Sequence, residues 1–366
     1  MNELDAIVNQ VNENCGISDS RHAGLYSICG LALRLRDLYK WEKGMEPWME
    51  DDSSKVLNWI GEKEEEWDRL SGEDFREITI SGSNYDPFDS RGINEVLEQH
   101  GYFYGAGYVQ SLKPTFFLAV LEEKRRMEGY PVYILGRELA RDLLTVPALV
   151  QDECVVVRKA SAKFFFWDQV FYVTQSGRQA LKFALENYGV RDPSPKKLRS
   201  HLERIFDAQI EGYIYHELGE LQDEIFDRDT WREVIAAFPH TPIELLARGV
   251  KDLLADTNPF GTLAYIIRER KKGTLGFYVA FMGGFAKVMF PEIINAFKEF
   301  VGSGQWEAVE EAVFSGYSTA KRYAEDISSI FQEGKERDDM KWTASVMEEC
   351  LLRPLGIERH ALQEDQ

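Results

Sequence analysis

The chain of 366 residues carries 43 basic and 62 acidic side chains, a formal charge of −19, and 44% of its residues are hydrophobic and 13% aromatic. Such a composition can bury ample apolar surface, which excludes a disordered chain. A field of that sign repels phosphate, so no nucleic-acid partner is expected.

No run approaches 18 uninterrupted apolar residues. The nearest, Leu275 to Phe290, is broken by Gly283, Gly284 and Lys287, so no membrane partner or span is expected. The Met-Asn-Glu-Leu-Asp start lacks the basic and apolar regions of a secretory signal. Cys15, Cys29, Cys154 and Cys350 lie far apart and form no Cys-x-x-Cys pair, which argues against a disulfide framework and a thiolate zinc site. A cytoplasmic location is the expectation, with the oligomeric state left open.

Taken in chain order, the punctuation announces helices. Leu4, Ile7, Val8 and Val11 follow helical spacing, with Gly16 as the stop. Asp19 or Ser20 is placed to cap a long helix to about Glu42, ended by Gly44 and Pro47, and Ser53 is placed to cap the next. Glu77 to Ser81 is the one good strand candidate, and a single short strand cannot make a sheet. A capping residue followed closely by proline then recurs at Thr145/Pro147, Ser194-Pro195, Thr241-Pro242 and Asn258-Pro259. Thr241 also has Glu244 at capping-box spacing. The expected fold is all-α: a large bundle-like fold of roughly a dozen or more helices, with at most one short strand or hairpin. Its internal boundary is expected at Gly189 to Pro195, giving helical regions 1–190 and 191–366. An ordinary loop within one compact domain competes with that boundary.

Chemistry concentrates in Glu211 to Glu224. His216, Glu220 and Asp223 share one helix face, and an imidazole with carboxylates on one face can chelate iron, manganese or zinc. Glu217, Glu220, Asp223 and Glu224 also crowd the C-terminal half of a helix, where the macrodipole disfavours negative charge. Only Glu224 has a basic residue four positions on, Arg228, and a bound cation would offset the remaining repulsion. The spacing matches neither His-Glu-x-x-His nor Glu-x-x-His, so a solvated acidic surface is the plainer reading. The candidate set is His216 and Glu220 as metal ligands, Glu217 or Asp223 as further ligand or base, and His22 from a partner helix.

Other features are weaker. Arg36, Asp37 and Glu42 read as structural ion pairs rather than a polar pocket wall. His100 and His240 read as a core-edge and a turn residue, His201 lies too far along the helix to join His216, and His360 falls in the terminal tail. Tyr104-Gly-Ala-Gly-Tyr108 lacks the third glycine and preceding strand of a dinucleotide site. Gly283-Gly284 suggests a close helix crossing. Aromatic blocks at Phe164 to Trp167 and at Phe277, Tyr278, Phe281 and Phe285 are mostly core, but together they can wall an apolar pocket.

Three stretches, Ser20 to Glu42, Tyr213 to Glu220 and Asp256 to Pro291, resemble an uncharacterised family of soluble bacterial proteins seen in anaerobic and sulfate-reducing lineages. The resemblance covers nearly the whole chain and implies no reaction and no site. Two functions follow from the residues as expectations. One is a metal-dependent oxidoreductase acting on a small molecule. The other is a non-catalytic helical interaction module, in which Glu42 to Glu77, with 13 acidic and 5 basic residues, meets a basic protein partner.

Overall fold

The computed structural model describes residues 3–109, 112–191 and 194–357. It divides into two compact units, Met1–Asp168 and Gln169–Asp365. The 189–195 segment lies inside the second unit, with residues 192 and 193 outside the described set, as is His360.

The N-terminal unit corrects the all-α expectation. It contains helices α1 (Glu3–His22), α2 (Ile28–Glu42), α3 (Ser53–Leu70), α4 (Ser90–Leu97) and the start of α5 (Lys159–Phe171). Between them lie the hairpin β1 (Ile78–Ile80) and β2 (Ser83–Tyr85), and the strands β3 (Tyr102–Val109), β4 (Lys113–Met127), β5 (Tyr130–Arg141), β6 (Ala148–Gln151) and β7 (Cys154–Arg158). The last five form one mixed sheet in the order β3-β4-β5-β7-β6, with β5 and β7 parallel and the other pairs antiparallel. Register shifts between Leu118 and Glu123 mark β-bulges, which bend a sheet and sharpen its twist.

The physical reasons for the strands are local. Gly105 reads as a strand residue because a Cβ there would lie 2.0 Å from the Phe117 ring, which crosses β3 at that point. The β4–β5 turn places Glu128 and Gly129 at φ 48° and 90°, the left-handed pair that a two-residue hairpin needs. The first half of β4, Lys113 to Ala119, is buried throughout, so it lacks the alternation that separates strand from helix. Pro147 precedes a strand here, not the expected helix.

Helix α1 runs through Gly16 without stopping. A Cβ at Gly16 would meet Leu70 Cδ1 at 2.8 Å, so the glycine serves the approach of α3. Ile7, Val11 and Cys15 on α1 pack on Tyr104, Phe116 and Leu118 of one sheet face. Phe103, Phe117, Tyr133 and Val156 make the core of the other face. Asp19 is not a cap but a buried partner of Lys113 (2.8 Å), and it accepts the Leu143 amide at 3.0 Å. Burial, only partly offset by Lys113, pushes the Asp19 carboxyl up to about 6. Helix α2 starts later than expected, with Ser27 accepting the Gly30 amide. Arg36 pairs with Asp37 and Asp168, and Glu42 with Lys63, which are structural ion pairs.

The strands β5 and β7 carry a second charged cluster. Arg158, fully buried, donates from Nε to Glu138 Oε1 at 2.7 Å, and Ser161 Oγ donates to the same carboxylate. Arg141 Nη1 stands 3.7 Å from Glu138 Oε2. One carboxylate therefore compensates two guanidinium groups.

The C-terminal unit is helical: α6 (Arg178–Asn187), α7 (Pro195–Arg199), α8 (Leu202–Gln222), α9 (Arg228–Ala237), α10 (Pro242–Thr257), α11 (Thr262–Arg268), α12 (Lys272–Phe281), α13 (Gly284–Met289), α14 (Pro291–Ser303), α15 (Glu307–Arg337) and α16 (Met340–Met347). Thr241 caps α10 as expected, and Glu244 returns the bond by accepting the His240 amide at 2.7 Å. Asn258 ends α10 rather than starting a helix, and its side-chain amide donates to the Gly219 carbonyl at 2.8 Å. Gly283 opens α13 and has free space around its Cα, so the glycine pair breaks a helix rather than letting two cross. Among the described residues no helix is long and apolar enough to cross a membrane.

Replacing Glu138 with alanine leaves Arg158 and Arg141 without their shared carboxylate. The expected loss in urea unfolding of the N-terminal unit is about 3–5 kcal/mol. A loss below about 1 kcal/mol, the scale of exposed pairs, would show that the cluster is hydrated.

Candidate functional site

Helices α8 and α10 meet where α8 has no side chain. A Cβ on Gly219 would fall 2.1 Å from the Ala255 carbonyl oxygen, so only glycine permits this crossing. The two helices run past each other in opposite directions there, which sets His216 beside Asp256 and Glu220 beside Lys251. His216 Nδ1 lies 2.8 Å from Asp256 Oδ1, and the Lys251 ammonium donates to Glu220 Oε1. Lys251 also stands 4.0 Å above the Trp231 ring, a favourable seat for a cation.

This pairing disposes of the charge problem on α8 without a bound cation. Glu220 is neutralised by Lys251. Burial is the main force against its charge, but the ammonium prevails and its pKa falls below the usual value. Glu217, 8% exposed, is pushed up to about 8 by burial and by the Glu220 charge, so it is largely protonated at neutral pH. Asp223 has left the helix: it is the C-cap in extended geometry, and its carboxylate accepts the Ile225 and Phe226 amides at 3.2 and 3.4 Å. Glu224 is exposed. The candidate acids therefore separate into an ion pair, a protonated acid, a turn and a surface group.

His216 is half-buried. Burial opposes its charge, but the Asp256 carboxylate outweighs that cost and holds the imidazole pKa well above 6.5. Tyr278, on α12, hydrogen-bonds to the same carboxylate, and burial together with Asp256 keeps its hydroxyl protonated far above the usual range. Asp256 thus takes two donors from two helices. His22 belongs to the N-terminal unit, where its Nδ1 donates to the Ser18 carbonyl at 2.8 Å. Among the described residues no group of three His, Cys, Asp or Glu side chains is arranged to hold a metal ion.

Asp256 is also a wall of a cavity of about 330 Å³ within the C-terminal unit. Arg248 and Asp252 precede it on α10, and Tyr278 lies opposite; Met282, Phe285 and Met289 supply apolar surface. Gly249 again acts by omission: a Cβ there would meet the Phe285 ring at 2.7 Å. The volume falls within the roughly 300–1,000 Å³ of small-molecule sites, and so does the constitution of apolar walls with a few polar groups.

A second cavity, about 320 Å³, lies in the N-terminal unit against Phe103, Tyr133, Glu98 and Cys154. Several of its groups are already engaged. Lys124 pairs with Glu98 at 2.7 Å while lying 4.6 Å over Tyr133, and burial lifts the Cys154 thiol to about 12. The exposed carboxylates Glu62, Glu64 and Glu65 stand on the outward face of α3.

Among the residues of this candidate site, Lys251 and Asp256 escaped the sequence reading because their partners, Glu220 and His216, are remote in the chain. One local signal existed: Arg248, Asp252 and Asp256 recur every four residues on α10 beside Leu245, Gly249 and Leu253. The chain belongs to the DUF6866 family of unknown function, whose N-terminal domain model matches residues 6–158 and whose C-terminal domain model matches residues 163–349. No curated protein and no solved structure matches the chain.

Two outcomes follow from this geometry. Gly219→Ala forces α8 and α10 apart, at an expected cost of about 1–3 kcal/mol in thermal unfolding. The folded unit also holds protons on Glu217 and His216 that the unfolded chain releases at lower pH. Stability contributed by Glu217 therefore declines from its ordinary pKa of 4.5 to about 8, and that from His216 declines as pH rises from 6.5 through its raised value. Urea unfolding from pH 5 to 8 (on the order of the interval between the two Glu217 values) should show falling stability, with a slope of at most about 1.4 kcal/mol per pH unit for each group. In Glu217→Gln that slope should shrink; an unchanged slope would contradict the assignment.

Proposed function

We propose that, in this family of unknown function, the C-terminal unit binds a small molecule with an apolar body and a polar head. In this reading Asp256 holds the head and exchanges a proton with it. The observation that carries it is the double role of Asp256, which lines the cavity and accepts the hydrogen bond of His216 at 2.8 Å. An imidazolium behind a carboxylate fixes its orientation and supplies a proton within hydrogen-bond reach, the arrangement general acid–base chemistry requires. Tyr278 adds a second donor on the cavity side.

The reading departs from a metal-dependent oxidoreductase for a reason of partners. Two of the expected ligands or bases, Glu220 and Asp223, already neutralise an ammonium or cap a turn, and Glu217 is largely protonated. His216 keeps only Nε2 for a further partner.

The test uses protein with isotope-labelled methionine methyl groups. Met282 and Met289 are buried against the cavity and report its occupancy. Benzyl alcohol, benzylamine and benzoate serve as probes. At least one should shift both signals in the native chain and neither signal in Gly249→Leu, whose side chain forces the Phe285 ring out of its place and into the cavity. Silence of both signals with every probe would sink the proposal. Stoichiometric iron, manganese or zinc that is lost in His216→Ala would replace it with a metal centre.

A further inference from the structure

Helix α10 presents charge of both signs to the cavity on successive turns. Arg248 donates from Nε to Glu244 Oε1 at 3.1 Å, and among the described residues its two terminal amino groups have no acceptor. Asp252, one turn on, is exposed and has no hydrogen-bond or ion-pair partner among the described residues. Asp256 follows after another turn. Side chains four apart on a helix stand about 5–6 Å from each other. A cation and an anion with unused hydrogen-bonding capacity therefore sit side by side, over an apolar floor of Met282, Phe285 and Met289.

We propose that this cavity takes a free α-amino acid with an apolar side chain. The inference deepens the small-molecule reading above and rests on it. The ligand carboxylate meets the Arg248 fork, the geometry in which guanidinium binds carboxylate most strongly. Its ammonium lies between Asp252 and Asp256, and its side chain rests on Phe285 and the two methionines. Ligands with one charge fit worse for opposite reasons. A simple amine leaves Arg248 unmet, whereas a simple carboxylic acid brings its anion toward two aspartates, a repulsion that discriminates as well as any contact.

The same methionine reporters decide the matter. Leucine, methionine and phenylalanine should shift Met282 and Met289. Isocaproate, which is leucine without its amine, and isoamylamine, which is leucine without its carboxylate, should bind about tenfold more weakly or less, the loss expected for one charge-assisted hydrogen bond. Arg248→Gln should reduce leucine to the level of isoamylamine while leaving isoamylamine unchanged. Asp252→Asn should weaken leucine and leave isocaproate no weaker. Equal binding of leucine and either single-charge analogue would overturn the proposal, as would full leucine binding by Arg248→Gln. If benzyl alcohol moves the signals and leucine does not, only the amino-acid assignment falls. If nothing moves them, the small-molecule reading falls with it.

Discussion

The missing side chain at Gly219 lets α8 reach the Ala255 carbonyl of α10, and the polar arrangement of the C-terminal unit depends on that approach. With the two backbones this close, residues three positions before and one after Gly219 on α8 face Asp256 and Lys251. The result is one ion pair, one imidazole–carboxylate bond and one protonated acid within a few turns. A wider crossing would separate Glu220 from Lys251 and leave its charge, next to Glu217, at a helix end that repels it. The crossing also fixes the rotation of α10, which turns Arg248, Asp252 and Asp256 toward the cavity beside Tyr278 and Phe285.

The N-terminal unit handles buried charge by the same rule with different elements. Lys113 on β4 answers Asp19 on α1 and stands 3.6 Å from Asp142, while Glu138 on β5 answers Arg158 on β7 and Arg141. Each cluster ties a strand to something distant in sequence. Ion pairs of this kind contribute little net stability against an apolar alternative, but losing one partner is expensive. The surplus of negative charge is carried elsewhere, in part by the exposed carboxylates of α3.

Legibility in the sequence followed the range of the interactions. The Thr241 cap with Glu244 and the end of α2 near Glu42 are decided within a few residues, and the C-terminal half reads as helices throughout. The five-stranded sheet did not read, because the first half of β4 is buried on both faces and so shows no alternation, and its outer half, Glu122 to Arg126, is rich in good helix formers. Glycine misled twice for one reason. Gly16 and Gly105 look like stops or a cofactor loop, yet each is small because another element, Leu70 or the Phe117 ring, occupies the space a side chain would need. Of the two aromatic blocks expected to wall a pocket together, only Tyr278 and Phe285 of the second line the cavity.

The sequence by itself determined that the chain can bury a large apolar core, where helices such as α3 and α10 begin, and that the acids just after His216 crowd an electrostatically unfavourable helix end. Only the tertiary structure decided what relieves them. The relief comes from Lys251, from burial of Glu217 and from the turn at Asp223. Charge pairing depends on distance in space, and Lys251 is 31 residues from Glu220 along the chain, so no local pattern announces it. The same holds for Asp256, which becomes a candidate functional group only when α8 and α12 bring it two hydrogen-bond donors.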